Sequence, residues 1–165
     1  MKQIAQNYNT GELQLIEVSD PISRPGGIIL KTKNSLISVG TEKLMIGLAK
    51  KSYMGKALDR PDLVKQVINK IKVDGIFDTY KSVMGRLDSL VTLGYSSSGI
   101  VDQVRENAGN VKKGDRIACF GDTFATHAEL NYIPKNMFVK IPENVDFEEA
   151  SFLGLAAIAL NAIRA

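Results

Sequence analysis

The sequence has almost none of the two residue types that most often build metal sites. Cys119 is the only cysteine and His127 the only histidine among 165 residues. A single cysteine excludes an intramolecular disulfide and a multi-cysteine zinc site. Cys119 lies among apolar neighbours, so we predict a buried, inert thiol. A histidine without companions is more often packed or exposed than a metal ligand.

Long apolar stretches are missing as well. No run approaches the roughly 18 residues that a membrane span needs, and the opening MKQIAQNYN has no apolar signal-peptide core. We therefore expect a protein of the reducing cytoplasm. The chain is long enough for one domain, or one domain plus a fragment of another.

Charge of one sign is not in large excess. A net charge of +3 is too small to argue by itself for nucleic acid or a membrane as partner, so we expect neither. Ten of the 21 basic residues lie between Lys43 and Arg86. We interpret them as a solvated helix face opposite an apolar stripe, and the alternative is a face that meets an anionic ligand, a nucleic acid or an acidic partner. Aromatic residues do not interleave with them as single-strand binding would prefer.

The order of sequence patterns predicts a mainly β, α+β protein with a helical insertion. MKQIAQNY and ELQLIEVS flank the turn NTG, and GIILKTKNSLIS has the length of a bent strand. From Glu42 to about Leu90 the period becomes helical, with Asp59 as a candidate cap for a helix containing Pro61 in its first turn. Short strands with glycine turns then return in SGIVDQVRE, VKKGDRIACF, THAELNYI and FVKI, as in a partly open β-barrel or a sandwich.

The end of the chain is helical again. Asn144 or Asp146 can cap a helix that begins at DFEEA, and the apolar, Ala-rich FLGLAAIALNAIRA follows. A helix with so much apolar surface needs a partner. We therefore expect the native chain to continue past Ala165.

The stretch LGYSSSGIV is the most unusual chemical candidate. Neither Ser96 nor Ser97 has the Gly-x-Ser-x-Gly surroundings of a nucleophile elbow, and no Gly-Lys-Ser/Thr ending supports a phosphate loop. Small residues that let two strands approach closely are the simpler interpretation. Asp115, in the turn before a strand, is predicted to tie down backbone N–H groups rather than to catalyse.

Four segments in order resemble the N-terminal, GroES-like domain of the medium-chain dehydrogenase/reductase superfamily, which includes alcohol dehydrogenases and quinone reductases. They are PGGIILKTKNSLISVGTE, LGYSSSGIVDQV, NVKKGDRIACF and FATHAELNYIPKNMFVKIPENVDFEEASFLGLAAIAL. The resemblance implies a GroES-like partly open barrel over 1–143 with a helical insertion at about 49–91. Residues 144–165 would be connecting helices that lead toward a Rossmann domain absent from this chain.

The departures from the family pattern concern its zinc ligands. Zinc enzymes of the superfamily use a cysteine where this chain has Val39, and a histidine followed by glutamate where it has Tyr95 and Ser96. Because valine cannot bind a metal, the resemblance implies a zinc-independent relative. Thr41 matches a proton-relaying hydroxyl, Tyr95 offers a phenol as acid or hydrogen-bond donor, and Glu42 could orient either one or serve as a structural anchor.

The resemblance implies an oxidoreductase that uses NAD or NADP to transfer hydride to or from a carbonyl or alcohol. The pairing of SLISVGTEKLMIGLAKKS with LGYSSSGIV also resembles bi-domain bacterial oxidoreductases linked to polysaccharide synthesis, so a sugar or nucleotide sugar is one candidate substrate. No Gly-x-Gly-x-x-Gly follows a strand here, so the fragment alone is expected to be inactive. A stand-alone, non-catalytic binding or scaffold module is the alternative, and a homo-oligomer is compatible with both.

Overall fold

The computed structural model describes residues 1–49, 58, 61–80 and 89–164. The strands in these ranges are β1 (Lys2–Asn7), β2 (Leu13–Glu17), β3 (Gly27–Ser35), β4 (Leu90–Thr92), β5 (Ser96–Val104), β6 (Arg116–Phe120), β7 (Leu130–Pro134) and β8 (Phe138–Lys140). The helices are α1 (Val39–Ala49), α2 (Pro61–Asp74), α3 (Phe147–Ala150) and α4 (Leu153–Arg164), and residues 76–80 are also helical. No helix of this described part is long and apolar enough to cross a membrane.

A five-stranded antiparallel sheet forms the main β structure. Its strand order is β7-β3-β5-β6-β8. On β3, Ile28 pairs with Val104 of β5 on one side and with Ile133 of β7 on the other. Two register irregularities interrupt the β3–β5 pairing, and such bulges bend a strand and raise its twist. The sheet curls into a half-barrel, which confirms the predicted α+β class and the GroES-like partly open barrel.

The apolar core lies inside this curled sheet. Its buried side chains alternate along the strands, as expected for a sheet with one face in the core. Partly buried Phe124, Met137 and Phe138 pack against it. The core members are Ile28, Leu30, Val101, Ala108, Ile117, Cys119, Ala125 and Ile133.

The chain divides into two compact units, which are described separately. The first comprises Met1–Ile4, Leu15–Ser38 and Thr92–Ala165, and the second comprises Ala5–Gln14 and Val39–Val91. A smaller sheet has the order β2-β1-β4. Helices α1 and α2 belong to the second unit, so the predicted helical middle of the chain is present in the described ranges.

Two predicted boundaries differ from the structure. Helix α1 begins at Val39, before the predicted start at Glu42. The strand predicted from THAELNYI begins only at Leu130. There, the backbone N–H and hydroxyl of Thr126 both donate to Oδ1 of Asn131, and such local side-chain bonds compete with a regular strand ladder. Helix α2 covers Pro61–Asp74, the segment whose apolar period predicted a helix, whereas its candidate cap Asp59 lies outside the described residues.

The C-terminal helices match the sequence pattern. Asp146 is the N-cap of α3 and accepts a hydrogen bond from the backbone N–H of Glu149 at 2.7 Å. The Glu149 carboxylate accepts one in return from the Asp146 N–H at 3.1 Å, which completes a capping box. Asp146 rather than Asn144 is therefore the cap, and the apolar segment after it forms α4.

Candidate functional site

The turn before β5 is held on one side by His127. Gly94 has φ +93°, and a Cβ placed on it would lie 2.9 Å from Nδ1 of His127. The His127 side chain is buried, and its Nδ1 lies 2.8 Å from the hydroxyl of Ser35. The His127 backbone N–H also donates to the carbonyl of Leu93 at 2.9 Å. Glycine is therefore required at position 94 by both its backbone angle and the imidazole beside it.

The three serines after this turn are fully buried and engaged with other elements. Ser96 Oγ donates to the carbonyl of Ser151 at 2.6 Å and accepts from the N–H of Gly154 at 3.0 Å. Ser98 Oγ donates to the carbonyl of Phe147. Ser97 Oγ lies 3.1 Å from Sγ of Cys119. These hydroxyls fasten β5 to the segment that forms α3 and α4 and to β6, in line with the interpretation of the small residues as close packing.

Tyr95 is half-buried, and it lies in the sequence between Gly94 and the three serines. Its backbone carbonyl accepts a hydrogen bond from the N–H of Gly121 at 2.8 Å. Its ring lies against Gly154, where a Cβ would be 3.2 Å from Cε2 of the tyrosine. Both the backbone and the ring of Tyr95 are thus held in place by residues of the first unit.

Thr41 and Glu42 lie in the first turn of α1, in the second unit. Thr41 is exposed, while Glu42 is only 7% exposed. Val39, which the resemblance aligns with a zinc-binding cysteine, is 72% exposed. Since Tyr95 belongs to the other unit, the convergence of Thr41, Glu42 and Tyr95 in one cleft stays a prediction.

Metal-binding residue types are sparse around this turn. Within residues 1–49, 58, 61–80 and 89–164, no three His, Cys, Asp or Glu side chains are grouped so that they could hold a metal ion. Cys119 is buried in the core, and burial raises the pKa of its thiol to about 11. The thiol is therefore neutral near neutral pH, and only a thiolate is a good zinc ligand.

Asp115 has the structural role that its turn predicts. Its Oδ2 accepts a hydrogen bond from the backbone N–H of Lys112 at 2.9 Å and lies 2.8 Å from Nζ of Lys140. The hydrogen bond from Lys140, followed by that from the Lys112 backbone, lowers the pKa of this carboxyl. The carboxylate thus ties the turn at Gly114 to β8.

Sequence patterns did not identify the surroundings of Tyr95. Ser96 and Gly154 are 58 residues apart, and their hydrogen bond leaves no periodic signal. His127 shows no sequence link to Gly94. The small residues did predict close strand packing correctly: a Cβ on Gly99 would lie 2.2 Å from the carbonyl oxygen of Lys31 on β3.

Solved structures of oxidoreductases share this fold. The 2R,3R-butanediol dehydrogenase from Bacillus subtilis superposes with a TM-score of 0.65 at 17% identity, over 99% of this chain and 47% of that one. The quinone oxidoreductase from Coxiella burnetii gives 0.62 at 22% identity, over 98% and 44%. The Escherichia coli quinone oxidoreductase complexed with NADPH gives 0.61 at 17%, over 97% and 40%. The chain has the fold of part of these enzymes.

Two curated proteins are similar in sequence over about half of the chain. Quinone oxidoreductase from Rattus norvegicus is 30% identical over 95 residues, which is 54% of this chain and 29% of that protein. The highly reducing polyketide synthase phiA from Fungal sp. (strain ATCC 74256) is 40% identical over 86 residues, 51% of this chain and 3% of that protein. The chain thus spans less than a third of either relative. No protein-family model matches it.

Proposed function

We propose that this chain is the substrate-side domain of an NAD(P)-dependent oxidoreductase of the medium-chain dehydrogenase/reductase type. The observation that carries the proposal is the superposition of nearly the whole chain on quinone oxidoreductases and a butanediol dehydrogenase. The 30% identity to the rat quinone oxidoreductase supports the same assignment.

The cofactor would be bound mainly outside this chain. No Gly-x-Gly-x-x-Gly follows a strand in the sequence, so the residues present do not form the pyrophosphate site of a dinucleotide. NADH or NADPH, held by a further domain, would supply the hydride. The chain by itself is then inactive, and its residues act on the substrate.

Tyr95 is the residue of the first unit that we propose to act on a substrate carbonyl. Its phenol O–H can donate a hydrogen bond to the carbonyl oxygen, which gains negative charge as hydride arrives at carbon. A fixed donor is more effective than a mobile one because it needs no reorganisation during the reaction. The contacts of Tyr95 with Gly121 and Gly154 supply that rigidity.

Thr41 and Glu42 are proposed to support this donor from α1. Thr41 is an exposed residue whose hydroxyl can relay a proton, and the buried Glu42 can orient a neighbouring hydroxyl or anchor α1. Because Val39 and Tyr95 replace the zinc ligands of relatives, we propose that catalysis proceeds without zinc. A sugar or nucleotide sugar, in polysaccharide synthesis, is the proposed substrate class to test beside quinones.

The proposal is tested on the protein at its native length. Its size is first determined by immunoblot of source-cell lysate with antibody against residues 1–165. The purified protein is then assayed for NADH and NADPH oxidation with a quinone, an enone, an aldehyde and nucleotide sugars. We expect turnover with at least one of them, and a Tyr95→Phe variant with kcat lowered about 100-fold or more and KM little changed.

The alternative of a non-catalytic binding or scaffold module predicts a different result. A band at the 18.0 kDa of this chain, together with no NAD(P)H oxidation, would refute the enzyme proposal. A matched Tyr132→Phe variant is the control for removing a phenol elsewhere in the first unit, on β7. It should keep the kcat of the parent protein.

A further inference from the structure

The turn that carries Tyr95 is connected to α4 through one buried hydroxyl. Ser96 is completely buried, and it both accepts the N–H of Gly154 and donates to the carbonyl of Ser151. These two bonds use the single O–H and one lone pair of the serine. They fix the first turn of α4 against the start of β5.

Gly154 connects the Ser96 hydrogen bond to the Tyr95 ring, because it contacts both. It is the buried residue of α4, and the Tyr95 ring lies against its backbone, since a Cβ there would meet Cε2 of Tyr95 at 3.2 Å and Oγ of Ser96 at 3.1 Å. The ring, the hydroxyl and the glycine thus form one close contact, in which an added methyl group would push its neighbours aside by a few tenths of an ångström. A shift of α4 would move the surface on which the ring rests.

We propose that Ser96 is a positioning residue, which sets the direction of the Tyr95 phenol through its contact with Gly154. This inference rests on the proposed role of Tyr95 as hydrogen-bond donor to substrate. Ser96 occupies the place of the glutamate that follows the zinc-binding histidine of relatives, and the structure gives it a different task. A buried serine here would hold the donor, while the phenol beside it would act on substrate.

Ser98 supplies a matched control on the same strand. It is also fully buried and also donates to a backbone carbonyl, that of Phe147 at the start of α3. This bond lies seven residues before Gly154. A Ser98→Ala variant therefore loses the same kind of buried hydrogen bond without loss of the Ser96–Gly154 contact.

The test follows the Tyr95 ring directly in the native-length protein. Tyrosine labelled with 13C at Cζ gives one NMR signal per tyrosine, and Tyr95→Phe identifies the signal of Tyr95. We expect Ser96→Ala and Gly154→Ala to shift or broaden that signal and Ser98→Ala to leave it unchanged. We also expect Ser96→Ala to lower kcat about 10- to 100-fold, with KM retained and an altered pH profile of kcat, because a small displacement of a catalytic group is costly.

Several results would overturn the inference. It is wrong if the Tyr95 signal is unchanged in Ser96→Ala and Gly154→Ala. It is also wrong if Ser98→Ala changes the Tyr95 signal as much as Ser96→Ala does, because that result would mean a general loosening of α3 and α4. If Ser96→Ala does not fold, Ser96→Cys takes its place, since a thiol of similar size weakens both hydrogen bonds without removing the side chain. Gly154→Ala crowds the ring directly and tests only the contact between the ring and α4. If Tyr95→Phe keeps full kcat, the proposed function of Tyr95 fails, whereas the NMR signal still decides whether Ser96 positions the ring.

Discussion

At the scale of single residues, Cys119 is predicted to make the fold less stable as the pH becomes alkaline. Burial raises its thiol pKa from 9.0 to about 11. Between these pH values the unfolded chain releases the thiol proton and the folded chain keeps it. The folded state therefore has its full stability below pH 9, and the contribution of the protonated thiol is lost as pH rises through 11. The loss is at most about 3 kcal/mol.

This prediction is measured by urea unfolding at about pH 8 and about pH 10.5. Between the two conditions, the free energy of unfolding should fall more in the parent protein than in Cys119→Ala. The alanine variant is less stable at both, because it leaves a small cavity, so the comparison uses the difference between pH values. Equal falls in the two proteins would contradict a raised thiol pKa.

Gly99 is predicted to tolerate no side chain. A Cβ there would lie 2.2 Å from the Lys31 carbonyl oxygen, and backbone of a paired strand cannot move aside cheaply. We expect Gly99→Ala to destabilise the fold by about 3 kcal/mol or more. The control is Gly47→Ala, in helix α1 with nothing within 4 Å of its Cβ position, which should instead stabilise by about 0.5–1 kcal/mol. Thermal unfolding of both variants measures the contrast, and a Gly99→Ala protein as stable as the parent would refute it.

Single residues also show where sequence patterns stop being informative. A run of small residues predicted close packing at Gly99, and an apolar environment predicted the inert thiol of Cys119. Both depend on local composition. The bond between Ser96 and Gly154 and the contact between Gly94 and His127 join residues far apart in the chain, and many small polar residues would look the same in sequence.

At the scale of secondary-structure elements, Arg116 on β6 fastens the segment before α3. Its Nη2 donates to the carbonyl of Val145 at 2.5 Å and its Nη1 to that of Pro142 at 3.3 Å. Its guanidinium carbon lies 4.8 Å from the centre of the Phe147 ring, which is a cation–π distance. One side chain thus links β6 to both the loop and the first residue of α3.

We expect Arg116→Ala to lower the free energy of unfolding by about 1–3 kcal/mol. Arg116→Lys keeps the charge but not the planar fork of donors, so it should recover only part of this loss. Urea unfolding of the two variants and the parent gives the order. A lysine variant as stable as the parent would show that charge alone accounts for the role of Arg116.

Elements with strong local signals were predicted well. The segment DFEEA, with Asn144 or Asp146 as candidate caps, predicted α3, and the apolar period after Pro61 predicted α2. The start of β7 was wrong because the residues before it form no regular ladder: the Thr126 N–H donates to the Asn131 side chain, and Ala128 forms only an isolated bridge with Gln3 of β1. Helix α1 begins three residues earlier than predicted, directly after Ser38, a residue type favoured at helix N-caps that the helical period alone does not identify.

At the scale of the whole molecule, the order of segments identified a fold that overall identity hardly reveals. The solved structures that share it are 14–22% identical to this chain. A barrel needs glycines where its strands turn and apolar side chains where its strands face the core. These two patterns therefore keep the strand order recognisable in the sequence. They carry no information on how the two compact units assemble, so the meeting of Thr41 and Glu42 with Tyr95 is a prediction of the family pattern alone.

The zinc prediction belongs to the whole chain, because a metal site needs ligands from several elements. Zinc at micromolar concentration should neither bind stoichiometrically nor raise the melting temperature, since a ligand that binds only the folded state would stabilise it. Isothermal titration and thermal unfolding measure both effects. The controls Cys119→Ala and His127→Gln remove the only cysteine and the only histidine of the sequence, so weak binding that disappears in one of them is assigned to that side chain and not to a site at Val39 and Tyr95. A tight 1:1 complex would instead mean that Val39 and Tyr95 do not mark a lost metal site, and that other side chains bind the ion.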